Sequence, residues 1–93
     1  MSDSRTFFVD ELEKLLAMPI DTKTELDAWY RASADLRERL RAEHPDLEYE
    51  GETYHFLVDA EIRQRDSGYR RWQEAEVRSY IERVRDTHDT NAA

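Results

Sequence analysis

TKTELDAWYRASADLRERLRAEH, residues 22–44, governs the reading of the whole chain. Its opening Thr22-Lys23-Thr24-Glu25 fits a capping box, in which a hydroxyl and a carboxylate each satisfy the other residue's backbone N–H. Leu26, Trp29, Ser33, Leu36 and Leu40 follow at spacings of 3, 4, 3 and 4 residues. That is a narrow helix-packing seam, with Tyr30 beside it. Asp27, Arg31, Asp35, Arg39 and Glu43 alternate in sign at i,i+4 steps and mark the wet face. Pro45 ends the helix between residues 42 and 44. About 20 residues at ~1.5 Å each make a rod roughly 30 Å long, and its apolar seam needs other elements to cover it.

Upstream, residues 5–18 carry a second stripe of Phe8, Leu12 and Leu15, widened by Val9 and Leu16. Asp10 and Glu11 stand near its positive end, Asp10 is spaced to pair with Lys14, and Pro19 disfavours helix at Met18. Downstream, residues 47–56 support two readings. A β-hairpin turning at Gly51-Glu52 would set Tyr49 against Tyr54 and Leu47 against Phe56. Tyr54, Leu57, Val58 and Ile62 also share one helical face, and an isolated hairpin is marginal in water. The helical reading is the better one: loop to about Thr53, then an unbroken helix to Arg65. Asp66-Ser67-Gly68 reads as a stop, with Gly68 supplying a left-handed backbone position. A last helix from about Tyr69 to Asp86 turns Tyr69, Trp72, Val77, Tyr80, Ile81 and Val84 inward, and Arg71, Glu74, Arg78, Glu82 and Arg85 outward. Residues 87–93 are expected to form a mobile tail. The expected fold is all-α: a compact bundle of about four amphipathic helices in one domain, residues 1–86, with the two longest helices as its spine.

Composition narrows the class further. Ninety-three residues allow one domain. No apolar run reaches membrane-spanning length, and Met1-Ser2-Asp3-Ser4-Arg5 does not open a secretory leader, so the expected setting is the cytoplasm. The absence of cysteine excludes disulfides, thiolate metal sites and cysteine nucleophiles. Leu, Ile, Val and Phe total 18 of 93 residues, which with a net charge of −8 borders on disordered composition. Ten aromatics and the helical periodicity place the chain among folded proteins with a thin core. Twelve arginines stand against two lysines, a bias expected from GC-rich codon usage.

Glu52 and His55 have the Glu-x-x-His spacing of carboxylate-bridged di-iron bundles, but such sites need a second copy, and neither His44 nor His88 has Glu three residues earlier. His55, Asp59 and Arg63 form an i,i+4,i+8 stripe on which Asp59 would orient the imidazole and Arg63 would hold an anion. Structural ion pairing accounts for the same triplet. Arg63, Arg65, Arg70 and Arg71 interleave with Tyr69 and Trp72, the pairing that single-stranded nucleic acid uses. Residues 63–93 carry only a net +1, however, and residues 1–62 a net −9, which argues against nucleic acid. Glu43, Asp46, Glu48, Glu50 and Glu52 form an acidic run without the ordered pattern of a calcium loop.

By elimination the expectation is a small non-enzymatic protein that binds another protein as an adaptor, inhibitor or regulatory subunit, with no cofactor and no metal. Opposite-sign blocks steer association, and Arg, Tyr and Trp are the usual anchors. The candidate contacts are Glu48, Glu50, Glu52, Arg63, Arg65, Tyr69, Arg70, Arg71 and Trp72. One alternative is a small metal-assisted or hydrolase-like enzyme using His55, Asp59 and Arg63; another is a nucleic-acid-associated protein or DNA mimic. Phe7, Tyr30, Tyr49 and Phe56 lie at the edges of their stripes or in the ambiguous segment, a surplus that a homodimer would cover.

Overall fold

The computed structural model describes residues 4–49 and 51–92, with side chains except at residues 52 and 87–92. Within them the chain forms five helices and no strand: α1 (Ser4–Ala17), α2 (Lys23–Glu43), α3 (Gly51–Val58), α4 (Ala60–Arg65) and α5 (Ser67–Ala92). The fold is all-α. Among the described residues no helix is long and apolar enough to cross a membrane.

α2 begins as its sequence demands. The Glu25 N–H donates to Thr22 Oγ1 at 3.1 Å, while Glu25 Oε1 accepts from the Thr22 and Asp21 N–H groups at 3.0 Å. Trp29, Ser33, Leu36 and Leu40 are buried along the seam, and Leu26 packs beside them. Trp29 does a second job: its indole Nε1 donates at 3.0 Å to the Leu15 carbonyl, which also accepts the Met18 N–H at 3.2 Å at the end of α1. α1 buries Phe8, Val9, Leu12 and Leu15 as its stripe requires. Its charges pair differently from the local spacing: Lys14 meets Glu11 at 3.1 Å, and Asp10 reaches across to Arg85 of α5 at 3.1 Å. Arg85 also holds Glu13, and Arg39 ties α2 to Glu11 at 2.8 Å.

Three features of residues 51–68 differ from the sequence expectation. The favoured helical reading holds over the hairpin, but the helix already starts at Gly51, not after Thr53. The inward face is Thr53, Phe56, Leu57, Ala60 and Arg63, whereas Tyr54 and Ile62 are exposed. The helix also breaks at Asp59, and this is what raises the number of helices to five. The cause is competition for backbone acceptors. The carbonyls of Phe56, Leu57 and Val58 accept from Arg63 Nη1 (2.8 Å), Ser33 Oγ (2.7 Å) and Tyr30 Oη (3.2 Å). Tyr30 Oη also accepts the Glu61 N–H at 3.0 Å, so one hydroxyl joins both sides of the break. The Ile62 and Arg63 N–H groups turn to the Asp59 carbonyl and start α4.

Asp66 likewise serves two helices. Its N–H donates to the Ile62 carbonyl at 2.9 Å, closing α4, and its Oδ1 accepts from the Tyr69 N–H at 3.0 Å, capping α5. Gly68 therefore lies in the first turn of α5, and no described glycine has a positive φ. The expected stop is a corner built by a carboxylate. α5 buries Gln73, Val77, Tyr80 and Ile81, with Val84 packed at the margin, and its backbone stays helical to Ala92. Trp72 is 55% exposed, and Gln73 takes the inward place assigned to it.

α5 packs extensively on α1, α3 and α4, and α2 packs on the same three helices less extensively. The two long helices thus meet chiefly through the others and do not form a mutual spine. The aromatics expected to be surplus are used inside the fold: Phe7 stacks on His44 at 4.7 Å, Tyr49 lies 5.0 Å from Phe8, Phe56 stands edge-on to Trp29 at 5.4 Å, and Tyr30 spans the Asp59 break.

Candidate functional site

The chemistry of the α3–α4–α5 junction starts from Arg63, which is 2% exposed. Its face of α4 continues the face on which α3 buries Phe56, so the guanidinium enters the core between two rings, 4.2 Å from the Phe56 centroid and 4.7 Å from that of Trp29. Nη1 donates to the Phe56 carbonyl at 2.8 Å and to Gln73 Oε1 at 2.5 Å, while Nη2 is enclosed with no partner. Burial pushes this guanidinium down to about 10, an effect that Glu74, Tyr30, Asp59 and Tyr69 partly offset. It remains a cation at neutral pH.

From Arg63 a line of polar groups runs to the surface. Gln73 Nε2 donates to Tyr69 Oη at 3.0 Å, and Tyr69 Oη donates to Asp59 Oδ2 at 2.8 Å. Burial raises the Tyr69 phenol above its ordinary value, and the hydrogen bond to Asp59 raises it further. The line ends at His55, whose Nδ1 lies 3.8 Å from Asp59 Oδ2, too far for a hydrogen bond, on a side chain 64% exposed.

This geometry divides the candidate residues. His55 and Asp59 are neighbours, but the break turns Arg63 away into the core, so the three do not line one open face. Asp59 is engaged by Tyr69. Among the described residues no group of three His, Asp or Glu side chains converges as a metal site. Arg63 is not presented to a partner. Tyr69 is half-buried in the polar line, and Arg70 is held by Glu74 at 3.1 Å and Asp21 at 3.3 Å, contacts that raise its basicity, the Glu74 hydrogen bond most of all. Arg65, Arg71 and Trp72 are exposed, and neither arginine has an acidic partner among the described residues. Trp72 rests against Tyr69 with ring centroids 5.7 Å apart. Glu48 is exposed in the α2–α3 loop; Glu50 and the Glu52 side chain lie outside the described residues.

Gln73 and Tyr30 are the residues whose roles local reading does not reach. The available signal was spacing: Phe56, Ala60 and Arg63 follow at 4 and 3 residues, a face equal in regularity to the one through Tyr54 and Ile62. No protein-family model, curated protein or solved structure matches the chain.

Proposed function

We propose that the protein works by binding another protein, as an adaptor, inhibitor or regulatory subunit, and that the contact centres on Trp72. The observation that carries this reading is the 55% exposure of Trp72, which follows in sequence an exposed Arg71 without an acidic partner among the described residues. Exposed indole is costly in water and is the commonest anchor at protein interfaces. Arg71, and Arg65 at the end of α4, add exposed positive charge to this stretch, so the partner expected is one with a carboxylate-bearing surface and an apolar pocket. The enzyme alternative loses support because Arg63 faces the core, away from His55.

The test is capture of a partner from the source cell by wild-type protein, by the Arg71→Glu/Trp72→Ala double variant and by His55→Ala. Both altered patch residues are exposed, so the double variant should keep its circular dichroism spectrum and melting temperature while retaining none of the protein that wild type holds. His55→Ala should retain it fully. Retention by the double variant, or loss in His55→Ala alone, would overturn the reading.

A further inference from the structure

Three clefts that open along the helices among the described residues differ in whether carboxylates line them. In the cleft of about 330 Å³ beside α1 and α5, Arg85 is paired with Glu13 and Arg78 with Glu74. In that of about 290 Å³ between α1 and α2, Lys14 and Arg39 both engage Glu11. The third, about 360 Å³ at the carboxyl end of α2, is lined by Arg37, Arg41 and His44, and no carboxylate lines it among the described residues.

The helix puts these groups together. Residues 37, 40, 41 and 44 stand at i, i+3, i+4 and i+7, one face of α2. Two guanidiniums four residues apart repel unless something of opposite charge lies near. Arg41 meets Glu38 at 2.7 Å on an exposed surface. Arg37 has no ion pair among the described residues, and its Nε is shielded from water without a hydrogen-bond partner. The shielded Nε is out of a ligand's reach, and the two terminal nitrogens are the donors this guanidinium can offer to the cleft. His44 is fixed in place: its Nδ1 is hydrogen-bonded to Ser4 Oγ at 2.8 Å and its ring stacks on Phe7. Nε2 is left as the ring nitrogen that a ligand can use. The remaining wall is apolar and aromatic, with Leu40, Tyr49 and Tyr54, the last of them 45% exposed. The negative end of the α2 dipole opposes an anion here, and the arginines override it.

We propose that this cleft is a binding site for a small organic anion: a carboxylate or phosphate held by Arg37, Arg41 and His44, carried on a flat apolar body that lies against Leu40, Tyr49 and Tyr54. The planar fork of arginine matches both oxyanions, and the volume suits a ligand of modest size. The site does not depend on Trp72 or on the protein-binding role.

Phenyl phosphate is the probe. Titrated into the ¹⁵N-labelled full chain, it should give saturable amide shifts confined to residues 37–49 and Tyr54. Inorganic phosphate, lacking the apolar body, should bind roughly tenfold more weakly, and neutral benzyl alcohol, lacking the charge, should not saturate. Arg37→Gln should weaken phenyl phosphate binding by about tenfold or more, the value of one hydrogen bond to a charged group, without lowering the melting temperature. Arg41→Gln, at an exposed position, provides the same comparison should Arg37→Gln fold poorly. No saturable shift up to millimolar probe, shifts spread over the other arginines, or unchanged binding in both variants would overturn the proposal.

Discussion

α2 and the α3–α4 pair cover the same core by opposite means. α2 is 21 residues of continuous helix whose apolar seam faces inward and whose carbonyls are used within the helix. α3 and α4 are 8 and 6 residues long, lengths far below what an isolated helix needs in water. They persist because Arg63, Ser33 and Tyr30 take the three carbonyls at the break. One region is held by apolar area. The other adds to its buried Phe56, Leu57 and Ala60 a set of polar contacts, where an unmade hydrogen bond is expensive. The short pair is therefore the part of the fold most easily undone by a single polar atom.

The comparison can be broken most sharply by one large deletion in each region. Trp29→Ala should cost about 3–5 kcal/mol, since it removes a fully buried ring together with its bond to the Leu15 carbonyl. Arg63→Ala should cost about 3 kcal/mol, part lost packing between the two rings and part the stranded Phe56 carbonyl and Gln73. Arg63→Met should recover about half of that loss, because an apolar stem of similar volume needs no desolvation of charge. Urea unfolding followed by circular dichroism measures all three. If Arg63→Ala behaves as a surface substitution does, with a change below about 0.5 kcal/mol, the polar account of α3–α4 is wrong.

The same contrast explains how much could be read from residues alone. The α2 seam, the capping box and the α1 stripe are local periodic signals, and each stands where its spacing puts it. At residues 51–65 two faces of equal regularity compete, one through Tyr54 and Ile62 and one through Phe56 and Arg63. Hydropathy favours the first, because it places an arginine outside. The second wins through Gln73, Ser33 and Tyr30, partners on other helices that no local window contains. The shift carries over to α5, where Gln73 must face Arg63 and Trp72 is turned out. A surface tryptophan is thus partly a consequence of a buried arginine. Asp66 has the same lesson on a smaller scale, since its carboxylate caps the next helix where a Gly-based stop was the simpler reading.

Smaller changes at the break sharpen the ranking. Ser33→Ala should cost about 1–2 kcal/mol, because the Leu57 carbonyl is buried and water cannot replace the lost donor. Tyr30→Phe removes two bonds at a half-buried position where water can partly substitute, and should cost about 1 kcal/mol. Hydrogen exchange locates these effects: Tyr30→Phe should speed exchange of the Glu61 amide while leaving the amides of Trp29 and Leu36 protected. Equal acceleration along α2 would mean that the break is not a separate weak point.

Tyr69→Phe should have the smallest effect, about 0.5–1 kcal/mol at neutral pH, since the phenol sits part-way to solvent. Its value lies in its pH dependence. The fold holds the Tyr69 proton more tightly than the unfolded chain does, through burial and the hydrogen bond to Asp59. Stability from that proton is complete below the ordinary value of 10.0 and declines as pH rises through the raised folded value, because the unfolded chain then ionises first. Arg63 has the opposite sign. Its folded value is lowered to about 10, so its burial cost is relieved as pH rises past that point. Arg63 is common to wild type and Tyr69→Phe, so its contribution largely cancels in the difference between them. That difference in unfolding free energy should hold constant to about pH 9.5 and then shrink. A difference that stays level or grows above pH 10 would show that the Tyr69–Asp59 bond does not hold the proton, and the polar line from Arg63 would end at Gln73.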